Sequence, residues 1–413
     1  MKKLPLMSFI VVLAGIFFLG AANEPAFPGL NVTDGSSPAI TDASAALPLD
    51  KINLPAGFSI SVYAEVQGAR SMVMSPSGTL FVGTQRAGKV YAVKDTDGDH
   101  VADKKWVIAS EMNNPNGVAL KNGNLFVAEI SKVTKFPDIE KNLDSPGKGE
   151  VIYDQFPTEW AHGWKYIAFG PDGKLYVPVG APFNIGIPDE QYAAIFSMND
   201  DGTGLEKFAS GIRNTVGFTW HPTTQEMWFT DNGRDMMGDD VPFCELNTAP
   251  NAGMHFGYPY FHSGTVKDPE FGGNHEAAEF TPPAQNLGAH VAPLGLKFYT
   301  GSMFPAEYKD QIFIAEHGSW NRSKKSGYRV TFVKIENNLG KAYEPFATGW
   351  LDESTQKAWG ARWMCSYLRM DPCWFQTIWP ELSIGLLMRN HKPNDAATSD
   401  RTKLSTVIQR DQK

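Results

Sequence analysis

The chain has 413 residues, 42% of them apolar and 20% charged, a balance that excludes disorder; its length exceeds one ordinary compact core. Lys+Arg 37 against Asp+Glu 45 leaves a net charge of −8, which argues against a nucleic-acid binder, because such affinity comes mostly from phosphate neutralisation. Three cysteines exclude a disulfide-built scaffold, and the odd number is itself unusual for an exported chain.

Lys2 and Lys3 precede an apolar run over residues 6–19, followed by small residues at Gly20, Ala21 and Ala22. This predicts a secretory signal over residues 1–22, a secreted or periplasmic location, and no stable membrane span after cleavage. Residues 23–50, rich in Ala, Pro, Ser, Thr and Asp, predict a disordered leader.

A repeated phrase then begins: an apolar strand, a Gly/Pro/Asn turn, a second apolar strand, a polar loop. The turns are Ser75-Pro76-Ser77-Gly78, Lys121-Asn122-Gly123-Asn124, Gly170-Pro171-Asp172-Gly173 and His221-Pro222-Thr223-Thr224, with a looser fifth copy ending at residues 311–315. Asn-Gly or Asp-Gly between alternating apolar segments signals a hairpin, and a period of about 50 residues built of hairpins signals a propeller. The longer gap before the fifth copy predicts a loop insertion. Within the first copy, Asp95, Asp97, Asp99 and Asp103 alternate around Gly98 as in calcium loops, although Trp106 stands where the twelfth-position acid belongs. A structural calcium and a solvated acidic hairpin tip are both open there.

After Trp359-Gly360 the phrase stops, and three Trp and two Cys crowd into about twenty residues. Trp and Met have one codon each, so the underlying bases are constrained. Residues 363–387 read one base earlier, with permitted codons, give VDVLVSADGSLLVSDDLAGAIYRIT, a hairpin phrase with an Asp-Gly turn. The expectation is that residues 361–413 are out of frame, that the sixth copy lacks its strands, and that the chain as written is poorly soluble or inactive. A genuinely divergent tail is the alternative.

Three motifs carry a family resemblance: Ala161-His162-Gly163-Trp164; Gly211-Ile212-Arg213-Asn214 with Asp231-Asn232-Gly233-Arg234-Asp235; and Glu316-His317-Gly318-Ser319-Trp320-Asn321-Arg322. In this order the stretch over residues 51–360 resembles the soluble pyrroloquinoline quinone (PQQ)-dependent sugar dehydrogenases of the glucose/sorbosone dehydrogenase family. The resemblance implies an all-β, six-bladed β-propeller, its sixth blade incomplete here, that uses PQQ and Ca2+ to oxidise the C1 hydroxyl of an aldose or related sugar and passes electrons to a separate acceptor. It implies His162 as general base and Arg213 as the group polarising the quinone oxygen. Asn214, Asn232, Arg234, Asn321 and Arg322 would hold the cofactor, and the main chain at Gly233 and Arg234 would ligate calcium. Position 234 is Arg where the best-known glucose-oxidising members carry Pro. Asp239, Asp240, His290 and His317 are further candidates for the pocket. Calcium-dependent lactonases share the propeller, but Arg213, Arg234 and Arg322 argue against that reading; a non-catalytic binding propeller is the third.

Overall fold

The computed structural model describes residues 47–359 in full and, beyond them, the backbone of the strands Ala361–Tyr367, Cys373–Ile378 and Ser383–Asn390. The expected signal and almost all of the expected leader lie outside the described residues. Among the described residues no helix is long and apolar enough to cross a membrane.

The chain is all-β and arranged as a propeller, and each hairpin phrase makes the first two strands of one blade. Blade 1 comprises Ala69–Met74, Thr79–Thr84, Val90–Lys94 and Lys104–Ala109. Blade 2 comprises Gly117–Lys121, Asn124–Ala128, Val133–Phe136 and Glu150–Tyr153. Blade 3 comprises Ala168–Phe169, Leu175–Val179, Ala194–Met198 and Glu206–Ser210. Blade 4 comprises Phe218–Trp220, Met227–Asp231, Phe243–Ala249 and Gln285–Ala289. Blade 5 comprises Pro293–Phe298, Ile312–Glu316, Arg329–Glu336 and Leu339–Ala347. The second strands are buried on both faces, because each blade is covered by a neighbour on either side.

The apolar cores lie between blades. Phe126 of blade 2 meets Phe169 of blade 3 edge to face at 4.9 Å, within a cluster that includes Leu175, Val177 and Met198. Trp228 of blade 4 packs with Leu296, Phe298, Ile312 and Val333 of blade 5. Side chains buried to this degree contribute roughly 1.5–3 kcal/mol each. Gly217 marks how closely blades 4 and 5 approach: a Cβ there would lie 2.3 Å from the carbonyl oxygen of Leu294.

Five blades form, where the sequence predicts six. The physical reason is that five hairpin phrases exist, and each closes a blade from consecutive chain. The remaining sheet is composed differently, in the order Phe58–Glu65, Ser383–Asn390, Cys373–Ile378, Ala361–Tyr367. Phe58–Glu65 pairs antiparallel with Ser383–Asn390, with a register shift between Val62 and Ala64. The expectation that the tail supplies no strands is therefore not met. The predicted insertion falls inside blade 4, between Phe243–Ala249 and Gln285–Ala289, and carries the short pairs Met254–His255, Phe261–His262 and Val266–Lys267.

Candidate active site

The residues just before the first strands of blades 3, 4 and 5, and just after the second strands of blades 4 and 5, converge on one cavity of about 260 Å³. His162 and Trp164 enter from before blade 3, and Arg213 and Asn214 from before blade 4. Asn232, Gly233 and Asp235 follow the second strand of blade 4. His290 precedes blade 5, and His317 and Trp320 follow its second strand; Cys244 lies beneath. The cavity walls include non-glycine residues in the left-handed region, His162 (φ 51°), His290 (φ 59°) and Ala292 (φ 49°). Such conformations cost roughly 1–3 kcal/mol each and persist only where the surroundings enforce them.

His162 Nδ1 lies 2.7 Å from the carbonyl oxygen of Ala181. A carbonyl only accepts, so Nδ1 carries the proton and Nε2 keeps its lone pair. Burial, aided by the Arg213 cation and opposed by the Ala181 bond, pushes the His162 pKa down to about 4. The ring is therefore neutral and basic at Nε2 over the physiological range.

Arg213 is 5% exposed and spends four of its five N–H groups on protein acceptors. Nε donates to the Asn184 carbonyl (2.8 Å), Nη1 to the Asn232 carbonyl (3.2 Å), and Nη2 to Asn184 Oδ1 (2.9 Å) and Asp235 Oδ2 (3.2 Å). One N–H on Nη1 is left over. Its backbone is fixed as firmly: the Asp231 carboxylate accepts from the main-chain N–H of Arg213 (2.9 Å) and of Asn214 (2.7 Å). Asp231 faces Glu245 across the strand pair, and burial pushes both carboxyls above their ordinary range. Asn214 lines the cavity with a buried side-chain amide for which no partner stands among the described residues. Trp164 does the same with a buried indole N–H.

Asn232 has a different task. Its side-chain amide donates to the carbonyls of Asn214 (3.0 Å) and Pro293 (3.2 Å), clipping blade 4 to blade 5. In the following loop the carbonyls of Asn232, Asp235, Gly238 and Asp239 accept from Arg213, Asn184, His290 and Arg322 respectively. Among the described residues the carbonyls of Gly233 and Arg234 accept no hydrogen bond, which leaves them available to a hard cation.

The three arginines do not come together. Arg213 alone lines the cavity. Arg234 points away to the fully buried Asp268, whose Oδ2 also lies 2.9 Å from His262 Nε2. Arg322 pairs with Asp240 Oδ1 (2.8 Å) and donates to the Asp239 carbonyl. Asn321 Oδ1 accepts from the Met236 N–H at 2.9 Å. Asn321 and Arg322 thus hold the loop over residues 236–240 rather than face the cavity. The acids Asp95, Asp97 and Asp99 bring one oxygen each within 4.8 Å of one another at an exposed hairpin tip. Asp103 is outside that group and accepts from Thr96 Oγ1.

Sequence reasoning assigned no role to Asn184, Asp231, Asp235, Trp164 or Trp320. Asp231 and Asp235 stand inside a quoted motif, and an acid at the end of an inner strand was the available signal. Asn184 lies in a loop without any motif.

A propeller whose blade ends enclose a polar cavity, with a tautomer-fixed histidine beside a buried arginine, defines an enzyme-type propeller. Comparisons with known proteins agree. The Glucose / Sorbosone dehydrogenase family matches residues 133–320. An uncharacterised protein of Borreliella burgdorferi is 31% identical over 323 residues, 74% of this chain and 83% of that protein. A PQQ-dependent pyranose dehydrogenase of Coprinopsis cinerea is 22% identical over 258 residues, 58% of this chain and 33% of that enzyme. The PQQ domain of a Coprinopsis cinerea pyranose dehydrogenase has the same fold, with a TM-score of 0.67 and 16% identity over 82% of this chain and 97% of that one. A Trichoderma reesei carbohydrate-active enzyme of family AA12 gives a TM-score of 0.68 at 17% identity, over 82% and 97% of the two chains. The chain belongs to the soluble PQQ-type glucose/sorbosone dehydrogenase family.

Proposed function

We propose that this protein is a periplasmic or secreted PQQ-dependent sugar dehydrogenase, oxidising the C1 hydroxyl of an aldose or a related sugar by hydride transfer to PQQ. One observation carries the reading: His162 Nε2, the Asn214 amide and the Trp164 indole N–H converge, without protein partners among the described residues, beside the remaining N–H of Arg213. Buried polar groups are normally satisfied, so such a gathering marks a ligand site. PQQ, when bound, supplies the electron acceptor. His162 Nε2 takes the proton of the sugar hydroxyl. The Arg213 N–H and the Asn214 amide stand where negative charge develops, already oriented and shielded from water. The Gly233 and Arg234 carbonyls offer a hard cation two ligands, and Ca2+ is the ion we assign to them.

The fit is good for the quinone end and poor for the carboxylates. PQQ is a tricarboxylate, and among the described residues Arg213 is the only permanent cation lining the cavity. The one-base-shifted reading places an arginine just after Trp359-Gly360. It also places its Asp-Gly turn between Tyr367, where one tail strand ends, and Cys373, where the next begins. Both points support a proposed domain plan in which residues 361–413 are out of frame and the in-frame protein closes its ring with a sixth blade.

Reconstitution tests the function. Purified in-frame protein with PQQ and calcium should reduce an artificial dye with aldoses, the dye standing in for an acceptor separate from this chain. A lactonase would open gluconolactone without PQQ, and a binding propeller would do neither.

A further inference from the structure

We infer that the loop between the second and third strands of blade 3 positions both acting groups of the site, with Asn184 as its central positioning residue. The inference rests on the reading of His162 and Arg213 given above. Every polar atom of Asn184 beyond its own N–H is engaged. Its carbonyl accepts from Arg213 Nε at 2.8 Å. Its Oδ1 accepts from Arg213 Nη2 at 2.9 Å and from the Asp235 N–H at 2.8 Å. Its Nδ2 donates to the Asp235 carbonyl at 3.0 Å. Asn184 therefore sets the plane of the guanidinium and its distance from the loop that follows Asn232.

Three residues earlier the same loop sets the base. The Ala181 carbonyl takes the His162 Nδ1 proton at 2.7 Å, and the Ala181 N–H donates to the Arg213 carbonyl at 2.8 Å. Gly180 sits between the two: a Cβ there would lie 2.6 Å from the Cβ of His162 and 3.3 Å from the carbonyl oxygen of Arg213. One short segment thus fixes the tautomer of the base, the orientation of the cation and the gap between them. A displacement of about 1 Å in such a site costs on the order of 100-fold in rate.

Two variants of the full chain separate positioning from folding. Asn184→Asp keeps the oxygen that receives Arg213 and the Asp235 N–H, and exchanges the donor to the Asp235 carbonyl for a second carboxylate oxygen. Asn184→Ala loses all three side-chain bonds. The first readout needs no activity: modification of Arg213 by phenylglyoxal, followed by peptide mass spectrometry. We expect Arg213 to react about tenfold faster in Asn184→Ala than in the unaltered chain, and near the unaltered rate in Asn184→Asp. The second readout is dye reduction with the same substitutions in the frame-restored protein, where Asn184→Ala should lower kcat by roughly 10–100-fold with KM changed less than threefold, and Asn184→Asp should recover most of kcat. Unchanged Arg213 reactivity in Asn184→Ala overturns the inference, as does a loss that Asn184→Asp does not reverse. If the frame-restored protein with Asn184 intact reduces no dye, the sugar dehydrogenase reading fails, and the Arg213 reactivity still decides the positioning claim.

Discussion

At the scale of single residues, the histidine carries a sign that can be checked. His162 acts as a base only when neutral, and burial beside Arg213 holds its pKa near 4 rather than 6.5. The acid limb of kcat/KM should therefore fall near pH 4, with no loss as pH drops through 6.5. Arg213→Met removes a cause of the depression and should move that limb upward. A limb at 6.5 in the frame-restored protein with His162 and Arg213 intact would falsify the assignment of His162. Stability follows the same linkage. The unfolded chain takes up a proton near pH 6.5 that the fold refuses, so stability falls as pH drops from 6.5 toward 4, by up to roughly 3 kcal/mol. His162→Ala should flatten that part of the melting-temperature profile while abolishing turnover and leaving PQQ binding in place.

At the scale of elements, the hairpins were legible and the loops were not. Gly170-Pro171-Asp172-Gly173 falls between Ala168–Phe169 and Leu175–Val179, and the same agreement of turn and strand recurs in the other blades. Turn chemistry is local, so sequence displays it. The side-chain geometry of the site is non-local: Asn184 meets Arg213 and Asp235, 29 and 51 positions away. Nothing near Asn184 in the sequence announces those partners. Arginine was legible as a residue type but not as a destination. Arg234 and Arg322 stand in the expected motifs, yet Asp268 and Asp240 claim them. The strand end that delivers His317 shows a comparable hidden support. Glu316 is fully buried and accepts from Arg329 Nε (2.7 Å), Thr331 Oγ1 (3.2 Å) and Tyr343 Oη. Arg329→Met leaves that carboxylate unpaired in the core, at a cost of about 3–5 kcal/mol. Urea unfolding should show the loss as a lower midpoint with the slope unchanged. A change below 1 kcal/mol would mean that Thr331 and Tyr343 satisfy Glu316 without the arginine.

At the scale of the whole molecule, the question is what closes the ring. A propeller removes exposed strand edges by joining its last sheet to its first. Here Phe58–Glu65 pairs with Ser383–Asn390, and the backbone of the tail extends that pairing through Cys373–Ile378 to Ala361–Tyr367. Strand spacing is thus compatible with closure. Composition is the obstacle: Trp363, Met364, Cys365, Cys373, Trp374 and Trp379 replace the alternating, Asp-Gly-turned phrase of the other blades. Two of the three cysteines of the chain fall in this stretch, while Cys244 is buried in the body beside the cavity. Frame and fold therefore make separable predictions. A chain carrying one restored base near codon 360 should express in soluble form at least several-fold better than the chain as written, and should bind PQQ, because it regains both a regular closing blade and an arginine for the cofactor's carboxylates. The chain as written should show little dye reduction under identical loading. Equal solubility and equal PQQ-dependent turnover for the two would show that the tail closes the ring as it stands, and that the carboxylates are held by groups other than the arginine of the shifted frame.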